Sequence, residues 1–353
     1  MVFALFNGSY MGQRNTGIGV VSKSLISSLS TDLVALLDPL NSGRKGSIAI
    51  PSDLSPEKGF KAHLKRLAWV ERHVPKLLRD SGAHVLLSPL PEAPLFSPVR
   101  SVVLAHDLLP LRYPSSKSLL AYYSIYVPQV LHKAELILCN SEATARDLNQ
   151  ILNIPISKLV TIKLGFDSSS IYPRNLPRED YFLVLGRHNP HKNLERVLMA
   201  FSSLKLDNYR IVFVGPFDHR YTPHLKRIAK EHQILDKCIW INWISDKERL
   251  VYLNKCRCLI IASLWEGFGL PALEAMACGT PVIASNSGAL PEVVGDVAIL
   301  IDPLRHKSIA NAMLEIIQSK KLQIDAHLSG PKQASNFNWK TTAKEVENIL
   351  ISL

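Results

Sequence analysis

No run of about 20 apolar residues crosses this sequence, because Gly, Pro and Ser interrupt every long uncharged stretch; a membrane-spanning helix is not expected. The start, Met1-Val2-Phe3-Ala4-Leu5-Phe6 followed by Asn7-Gly8, lacks the basic residues and cleavage site of a signal peptide and reads as a first buried strand. Asp-x-Asp pairs are missing altogether, so the usual two-carboxylate clamp for a divalent ion has no candidate. Cysteine is scarce. The five residues Cys139, Cys238, Cys256, Cys258 and Cys278 are odd in number, and the close pair Cys256/Cys258 has no second pair at zinc-like spacing. Neither a disulfide framework nor a zinc site is expected; all five read as reduced thiols in or near the core of a cytoplasmic protein. Acid is in short supply: 30 Asp and Glu face 41 Lys and Arg, leaving a formal charge of +11. That balance suits nucleic acid, an anionic membrane or a phosphate-bearing ligand without choosing among them.

What is present is an ordinary globular balance of 47% hydrophobic and 20% charged residues over a chain too long for one typical core and comfortable for two. Short Val/Ile/Leu runs at 2–6, 33–37, 85–88, 102–105, 136–139 and 160–163 alternate with helical patterns such as 18–29 and 143–152. Continuous apolar runs of this kind mark parallel strands covered on both faces. Residues 166–180 break the rhythm with a polar, twice Pro-interrupted stretch that reads as an interdomain linker. The alternation resumes with strands at 181–185, 211–214, 239–242, 259–262, 282–284 and 298–301, and helices at 193–202, 223–232, 247–255, 271–277 and 307–319. Two α/β halves of similar size follow, each a doubly wound parallel sheet.

Open parallel sheets bind ligands beyond the carboxyl ends of their strands, so the loops there are where chemistry is sought. After 2–6 comes Thr16-Gly17-Ile18-Gly19, where Gly17 and Gly19 would let backbone approach an anion; a plain strand–helix turn gives the same pattern. After 102–105 stand His106 and Asp107, a candidate polar contact for substrate or an unremarkable core-edge histidine. After 181–185 the loop Gly186 to Asn193 carries Arg187 and Lys192, able together to neutralise a diphosphate, or simply solvated. After 259–262 lies the strongest segment, Glu266-Gly267-Phe268-Gly269-Leu270-Pro271, with Glu274 about one turn into the helix that Pro271 opens. Its carboxylates can accept hydrogen bonds from sugar hydroxyls, and Glu274 equally could serve the helix dipole.

With these residues laid out, the second half resembles the retaining glycosyltransferases of family 4, whose GT-B architecture is two Rossmann-like domains facing a central cleft. The resemblance rests on Gly186-Arg187…Lys192-Asn193-Leu194, on Glu266 and Glu274 with seven residues between them, on Ala275-Met276-Ala277-Cys278-Gly279-Thr280-Pro281-Val282, and on Gly288-Ala289-Leu290-Pro291-Glu292. It is near-continuous from 181 to 303 and looser in the first half, where 16–19, His106-Asp107…Pro110 and Asn140-Ser141 fit. Phe337-Asn338-Trp339 and the helix after it resemble the family's C-terminal helix, which returns to the first domain. The resemblance implies an acceptor domain over 1–165 with helix 338–353 packed back on it, a linker at 166–180 and a nucleotide-sugar donor domain over 181–337. It implies roles as well. Arg187 and Lys192 would bind the donor diphosphate, Glu274 the ribose hydroxyls, and Glu266 the transferred sugar. The backbone of Phe268, Gly269 and Leu270 would line sugar and phosphates, Gly17 and Gly19 would approach the diphosphate, and His106 would touch the sugar near its reacting face. Val20 stands where many members carry Arg.

The expected reaction is hexose transfer with retention and without metal or other cofactor. The forms around His106 and Leu290 look most like bacterial mannosyltransferases of polysaccharide or O-antigen synthesis, which use GDP-mannose. A UDP- or dTDP-sugar donor is the alternative, and the expected acceptor is a glycan or a lipid-linked glycan. A dehydrogenase would want a complete dinucleotide fingerprint, which neither half offers. A sugar-nucleotide epimerase and a non-catalytic glycan-binding relative remain as other readings. Nucleic acid is not an expected partner, because the basic residues are not interleaved with stacking aromatics. Residues 61–80 hold six Lys/Arg against two acids. There Lys65, Arg72, Lys76 and Arg79 share one side at helical spacing, and Leu64, Leu67, Ala68, Val74 and Leu78 form an apolar side that Pro75 could interrupt. Such a helix can rest on anionic lipid at the inner face of the membrane, or present a solvated face on a core helix.

Overall fold

The uninterrupted apolar runs do become parallel strands. In the computed structural model, which describes residues 3–12, 17–55, 59–174 and 176–353, thirteen strands form two sheets. Val2, Thr16 and one residue of the expected linker, Asn175, lie outside the described residues. The first sheet holds β1 (Ala4–Asn7), β2 (Val34–Asp38), β3 (Ile48–Ala49), β4 (Val85–Ser88), β5 (Ser101–Ala105), β6 (Leu136–Cys139) and β7 (Leu159–Thr161), in the order β3-β2-β1-β4-β5-β6-β7. The second holds β8 (Tyr181–Leu185), β9 (Arg210–Val214), β10 (Cys238–Ile241), β11 (Cys258–Ile261), β12 (Val282–Ser285) and β13 (Ile299–Ile301), in the order β10-β9-β8-β11-β12-β13. Every neighbouring pair is parallel. Both are Rossmann-type sheets, whose strand order reverses beside the first strand of each: between β1 and β4, and between β8 and β11.

The chain divides into two compact units, Met1–Gly165 with Asn338–Leu353, and Phe166–Phe337. In the first, Leu5, Leu37, Leu86, Val103 and Ile137 from the strands pack with Val70, Val74 and Leu148 from the helices. In the second, Phe182, Phe213, Ile260 and Ile283 pack with Phe201 and Met313. Each such side chain, fully buried, contributes on the order of 1.5–3 kcal/mol. All five cysteines are buried and unpaired. Among the described residues no helix is long and apolar enough to cross a membrane.

The expected linker, 166–180, is bound along the second unit, and two expectations for the helix around Pro75 change. Asn254 accepts from Arg174 N at 2.7 Å and donates to Tyr172 O at 3.1 Å, and Arg178 donates to the carbonyls of Cys256 and Gly279. Its polarity is spent on backbone partners that a linear reading cannot see. Pro75 does not interrupt its helix, which runs over Phe60–Ser81. Trp69, Val70, Val74 and Leu78 are buried on either side of it and carry the helix past the missing N–H. Finally, the apolar side was drawn too wide: Leu64 is 51% exposed and Ala68 also faces solvent, beside Lys61, Lys65, Arg72, Lys76 and Arg79. The helix Lys320–Ala334 was not legible, because its buried face is Ala326, Gly330 and Ala334, which carry no apolar period.

The C-terminal helix Trp339–Ile351 belongs to the first unit and packs on the helix Gly17–Ser28. Asn338 caps it, Thr342 Oγ1 donates to Lys163 O at 2.6 Å, and Glu347 Oε1 accepts from Ser30 N at 2.6 Å. Gly165 is the tight point: a Cβ there would lie 2.7 Å from the Trp339 ring and 2.7 Å from the Asn338 carbonyl carbon. Gly165→Ala is therefore expected to unseat this helix and cost about 3 kcal/mol. Urea unfolding and the rate of proteolysis after residue 337 read the effect; unchanged stability would mean that the helix is not anchored here.

Candidate active site

The site is built from the two loops that flank the order reversal of the second sheet, those after β8 and β11. They are tied to each other before any ligand is considered. Leu264 N donates to His191 O at 2.7 Å, and the buried Asn193 side chain donates to Ala262 O at 2.9 Å and to Pro303 O at 2.7 Å. Asn193 adopts φ +59°, a left-handed conformation that Asn tolerates, at the turn into the helix Leu194–Ser203. A third segment braces the pair from β12: a Cβ on Gly288, at φ +60°, would stand 2.9 Å from Glu266 N, and Ala289 N donates to Glu266 O at 3.0 Å. The place of Asn193 and Gly288 in the motifs was visible in sequence, but their bracing contacts were not.

Lys192 and Glu266, 74 residues apart, meet directly. Lys192 Nζ donates to Glu266 Oε1 at 2.5 Å, and Ser263 Oγ donates to the same oxygen at 2.5 Å. Burial pushes the Glu266 carboxyl up, but the charge of Lys192 and the two hydrogen bonds outweigh it and hold the group below the usual Glu value. Glu266 is thus an ionised acceptor at neutral pH, and no hydrogen bond among the described residues reaches its Oε2. Arg187, on the same loop as Lys192, is exposed and makes no ion pair among the described residues. Gly186, Arg187, Lys192, Ile261 and Ser263 line one small crevice at the reversal point. Two cations, one of them unpaired, thus stand beside a carboxylate whose second oxygen is open, an arrangement suited to a phosphorylated polyol.

Phe268 is buried edge-on against Phe337, with ring centroids 5.9 Å apart. Its backbone with that of Gly269 leads into the helix Leu270–Ala277, which has no side-chain N-cap. Glu274 lies in the second turn and is held not by the helix dipole but by Arg249, whose Nη1 is 3.2 Å from its Oε1; Arg249 also reaches Asp246 at 3.1 Å. Burial dominates, partly offset by Arg249, and raises the Glu274 carboxyl to about 7. Arg249 escaped sequence reading because its partner is 25 residues away on another helix.

The remaining candidates lie in the first unit. Gly17 opens the helix Gly17–Ser28 after β1, and Gly19 is buried in its first turn. His106 follows β5. Its Nε2 is 2.9 Å from Pro89 O, and since a carbonyl only accepts, Nε2 carries the hydrogen. Burial lowers the ring to about 4, so it is neutral at physiological pH, with Nδ1 left as an acceptor. The described residues contain no cluster of His, Cys, Asp or Glu able to hold a metal ion.

Comparison with known proteins bears on this geometry. Residues 173–332 match the family described as Glycosyl transferases group 1. The O-antigen chain mannosyltransferase B of Escherichia coli is 28% identical over 81% of this chain and 77% of its own length. The serotype-specific mannosyltransferase WbdA of Escherichia coli is 25% identical over 70% of this chain, which spans only 32% of that longer protein. In structure, Anabaena Alr3699/HepE, solved in complex with UDP and glucose, superposes over the full length of both chains with a TM-score of 0.78 at 17% identity, a likeness of fold.

Glu274 sets a pH test. Its carboxyl is near 7 in the folded chain and near the ordinary 4.5 when unfolded, so the folded state binds the extra proton in that window. Stability contributed by this group therefore falls as pH rises from about 4.5 to 7, by about 3 kcal/mol in full. Glu274→Gln is expected to remove that slope, so the variant gains on the wild type between pH 5 and pH 8 in urea unfolding. A difference independent of pH would show that Glu274 is not buried in its charged form.

Proposed function

We propose that this chain, a glycosyltransferase whose residues 173–332 form a group 1 glycosyltransferase domain, transfers mannose from GDP-mannose to a bacterial polysaccharide or its lipid-linked intermediate, retaining configuration and needing no metal. The observation that carries the reading is the Lys192–Glu266 pair beside the unpaired Arg187 at the reversal point of the second sheet. Mannose is favoured because relatives matched over most of this chain, in two protein types, are mannosyltransferases. GDP is favoured by the motif forms around Leu290.

In this reading Arg187 forks onto the diphosphate and Lys192 shares its charge between Glu266 and the leaving group. The acceptor hydroxyl oxygen bonds to the anomeric carbon as the carbon–oxygen bond to the diphosphate breaks. The hydroxyl proton passes to the departing diphosphate oxygen on the same face, which keeps the configuration. The two cations stabilise the negative charge that develops there, work that is worth several kcal/mol in a partly buried site. Glu266 is a poor candidate for a covalent nucleophile, because Lys192 and Ser263 already hold its Oε1 and depress its basicity. Its open Oε2 suits a sugar hydroxyl instead. Metal independence is supported by the commitments of the carboxylates, Glu266 to Lys192 and Glu274 to Arg249. In this reading Glu274, poised near 7, accepts from ribose hydroxyls.

The acceptor side is read from the first unit. The exposed face of the helix Phe60–Ser81 carries Lys61, Lys65, Arg72, Lys76 and Arg79, with Phe60 57% exposed at its start. A face of this composition suits an anionic membrane surface and a lipid-linked acceptor.

Two measurements test these readings. In EDTA, GDP at ~100 times its dissociation constant is expected to stabilise the protein by about 2.7 kcal/mol in thermal unfolding, with UDP, dTDP and ADP weaker. Arg187→Ala/Lys192→Ala should abolish that protection. Protection by UDP alone would move the donor base, and protection by none would overturn the donor site. For the membrane face, replacing Lys65, Arg72, Lys76 and Arg79 with Gln is expected to reduce pelleting with anionic liposomes at least tenfold; unchanged pelleting sinks that role.

A further inference from the structure

A cavity in the second unit lies away from the donor loops. It has a volume of about 490 Å³ and opens on the opposite edge of the sheet, where the strands begin. Arg257 directly precedes β11, Arg178 precedes β8, and Cys278 ends the helix Leu270–Ala277. The far wall is the helix Lys320–Ala334, which contributes Lys320, Ile324 and Leu328. The volume falls in the range that takes small molecules, roughly 300–1,000 Å³.

The chemistry of the wall is one-sided. No acidic residue lines it, whereas Arg178, Arg257, Lys320 and His327 do. Arg178 is held by neutral groups: Asn254 O, Cys256 O at 2.9 Å, Gly279 O at 2.6 Å and Thr280 Oγ1 at 3.2 Å. Arg257 meets the carboxylate of Asp180 and the amide of Gln323, and its Nε is buried with no hydrogen-bond partner. Lys320 has no ion pair among the described residues. Opposite these cations, Ile324 is 59% and Leu328 68% exposed, apolar side chains with nothing covering them. A buried guanidinium nitrogen without an acceptor and exposed aliphatic side chains at one cavity ask for a ligand with both features.

We propose that this cavity is a second ligand site, distinct from the donor site, for a small organic anion that joins a phosphate or carboxylate to an apolar portion. The head group would meet Lys320 and the guanidinium of Arg257, and the apolar portion would lie along Ile324 and Leu328. The site is one helical turn from the donor residue Glu274, since Cys278 N donates to Glu274 O at 3.1 Å. It therefore sits where a bound molecule can bear on the helix that carries Glu274.

Octyl phosphate, inorganic phosphate and octanol titrated by calorimetry into the full chain test the proposal. Octyl phosphate is expected to bind one to one and at least tenfold more tightly than either other probe. Lys320→Glu and Leu328→Glu should each weaken it at least tenfold while leaving the melting temperature and the protection by nucleotide diphosphate unchanged. Glu at the first position of that helix favours the helix dipole, and Leu328 is exposed, so neither change threatens the fold. Arg187→Ala/Lys192→Ala should bind octyl phosphate as the wild type does. Vesicles of phosphatidylcholine with phosphatidic acid separate the sources: pelleting that Lys320→Glu abolishes assigns the phosphate to a lipid headgroup, and binding of octyl phosphate with no such pelleting assigns it to a free molecule. The proposal is overturned if octyl phosphate does not bind, if both Glu variants bind it equally well, or if the donor-loop variant loses it.

Discussion

Parallel pairing in every strand pair sends, within each sheet, all carboxyl ends to one edge and all amino ends to the other, and the charged groups at the two edges of the second sheet depend on it. Most strand ends are followed by a loop and a helix start, while β2–β3 and β4–β5 are joined by loops alone. Where the strand order reverses, between β8 and β11, adjacent loops lead away to opposite faces and leave a crevice. Arg187 and Lys192 stand on one side of that crevice and Ser263 and Glu266 beyond the other. The same constraint puts Arg178 and Arg257 at the amino edge, too far along the strands to serve the donor loops. One unit thus has two chemically different edges.

Within the second unit, environment divides two carboxylates that the motif sets with seven residues between them. Glu266 is half-buried but receives Lys192 and a serine hydroxyl, and its carboxyl falls below the ordinary value. Glu274 is half-buried with Arg249 at 3.2 Å and Asp246 nearby, and its carboxyl rises to about 7. Burial pushes both the same way; the number and quality of the partners decide the outcome. One group remains charged, and the other can change its protonation near neutral pH.

The first unit shows the opposite economy of charge. Arg66, counted with the basic residues of its segment, is not on the basic face at all. It is buried and makes a two-point ion pair with Glu92, with both nitrogen–oxygen distances at 2.8 Å, and donates to Leu54 O at 3.1 Å. Tyr122 donates to the same carboxylate at 3.2 Å from a π-helical turn, Tyr122–Tyr126. A buried pair of this kind costs desolvation and is worth keeping only when hydrogen bonds surround it; breaking it would strand a charge in the core. The other cations of that helix, Lys61, Lys65, Arg72, Lys76 and Arg79, face outward, with Lys65 paired to Asp53.

Much of this protein was legible in its sequence. Val/Ile/Leu runs bounded by turn residues locate twelve of the thirteen strands, because a strand buried on both faces tolerates little else. Only β3, two residues long, is too short to leave a period. The candidates Arg187, Lys192, Glu266 and Glu274 stand out because loops after parallel strands are where ligands bind in such sheets. The tertiary structure alone decided the rest. It brought Lys192 to Glu266 across 74 residues, gave Glu274 its arginine, bound segment 166–180 to helix ends, and turned Arg66 inward. These are contacts between residues far apart in the chain, where periodicity carries no information. Local pattern determines which face of an element is apolar; only packing determines which partner a polar group on that element will meet.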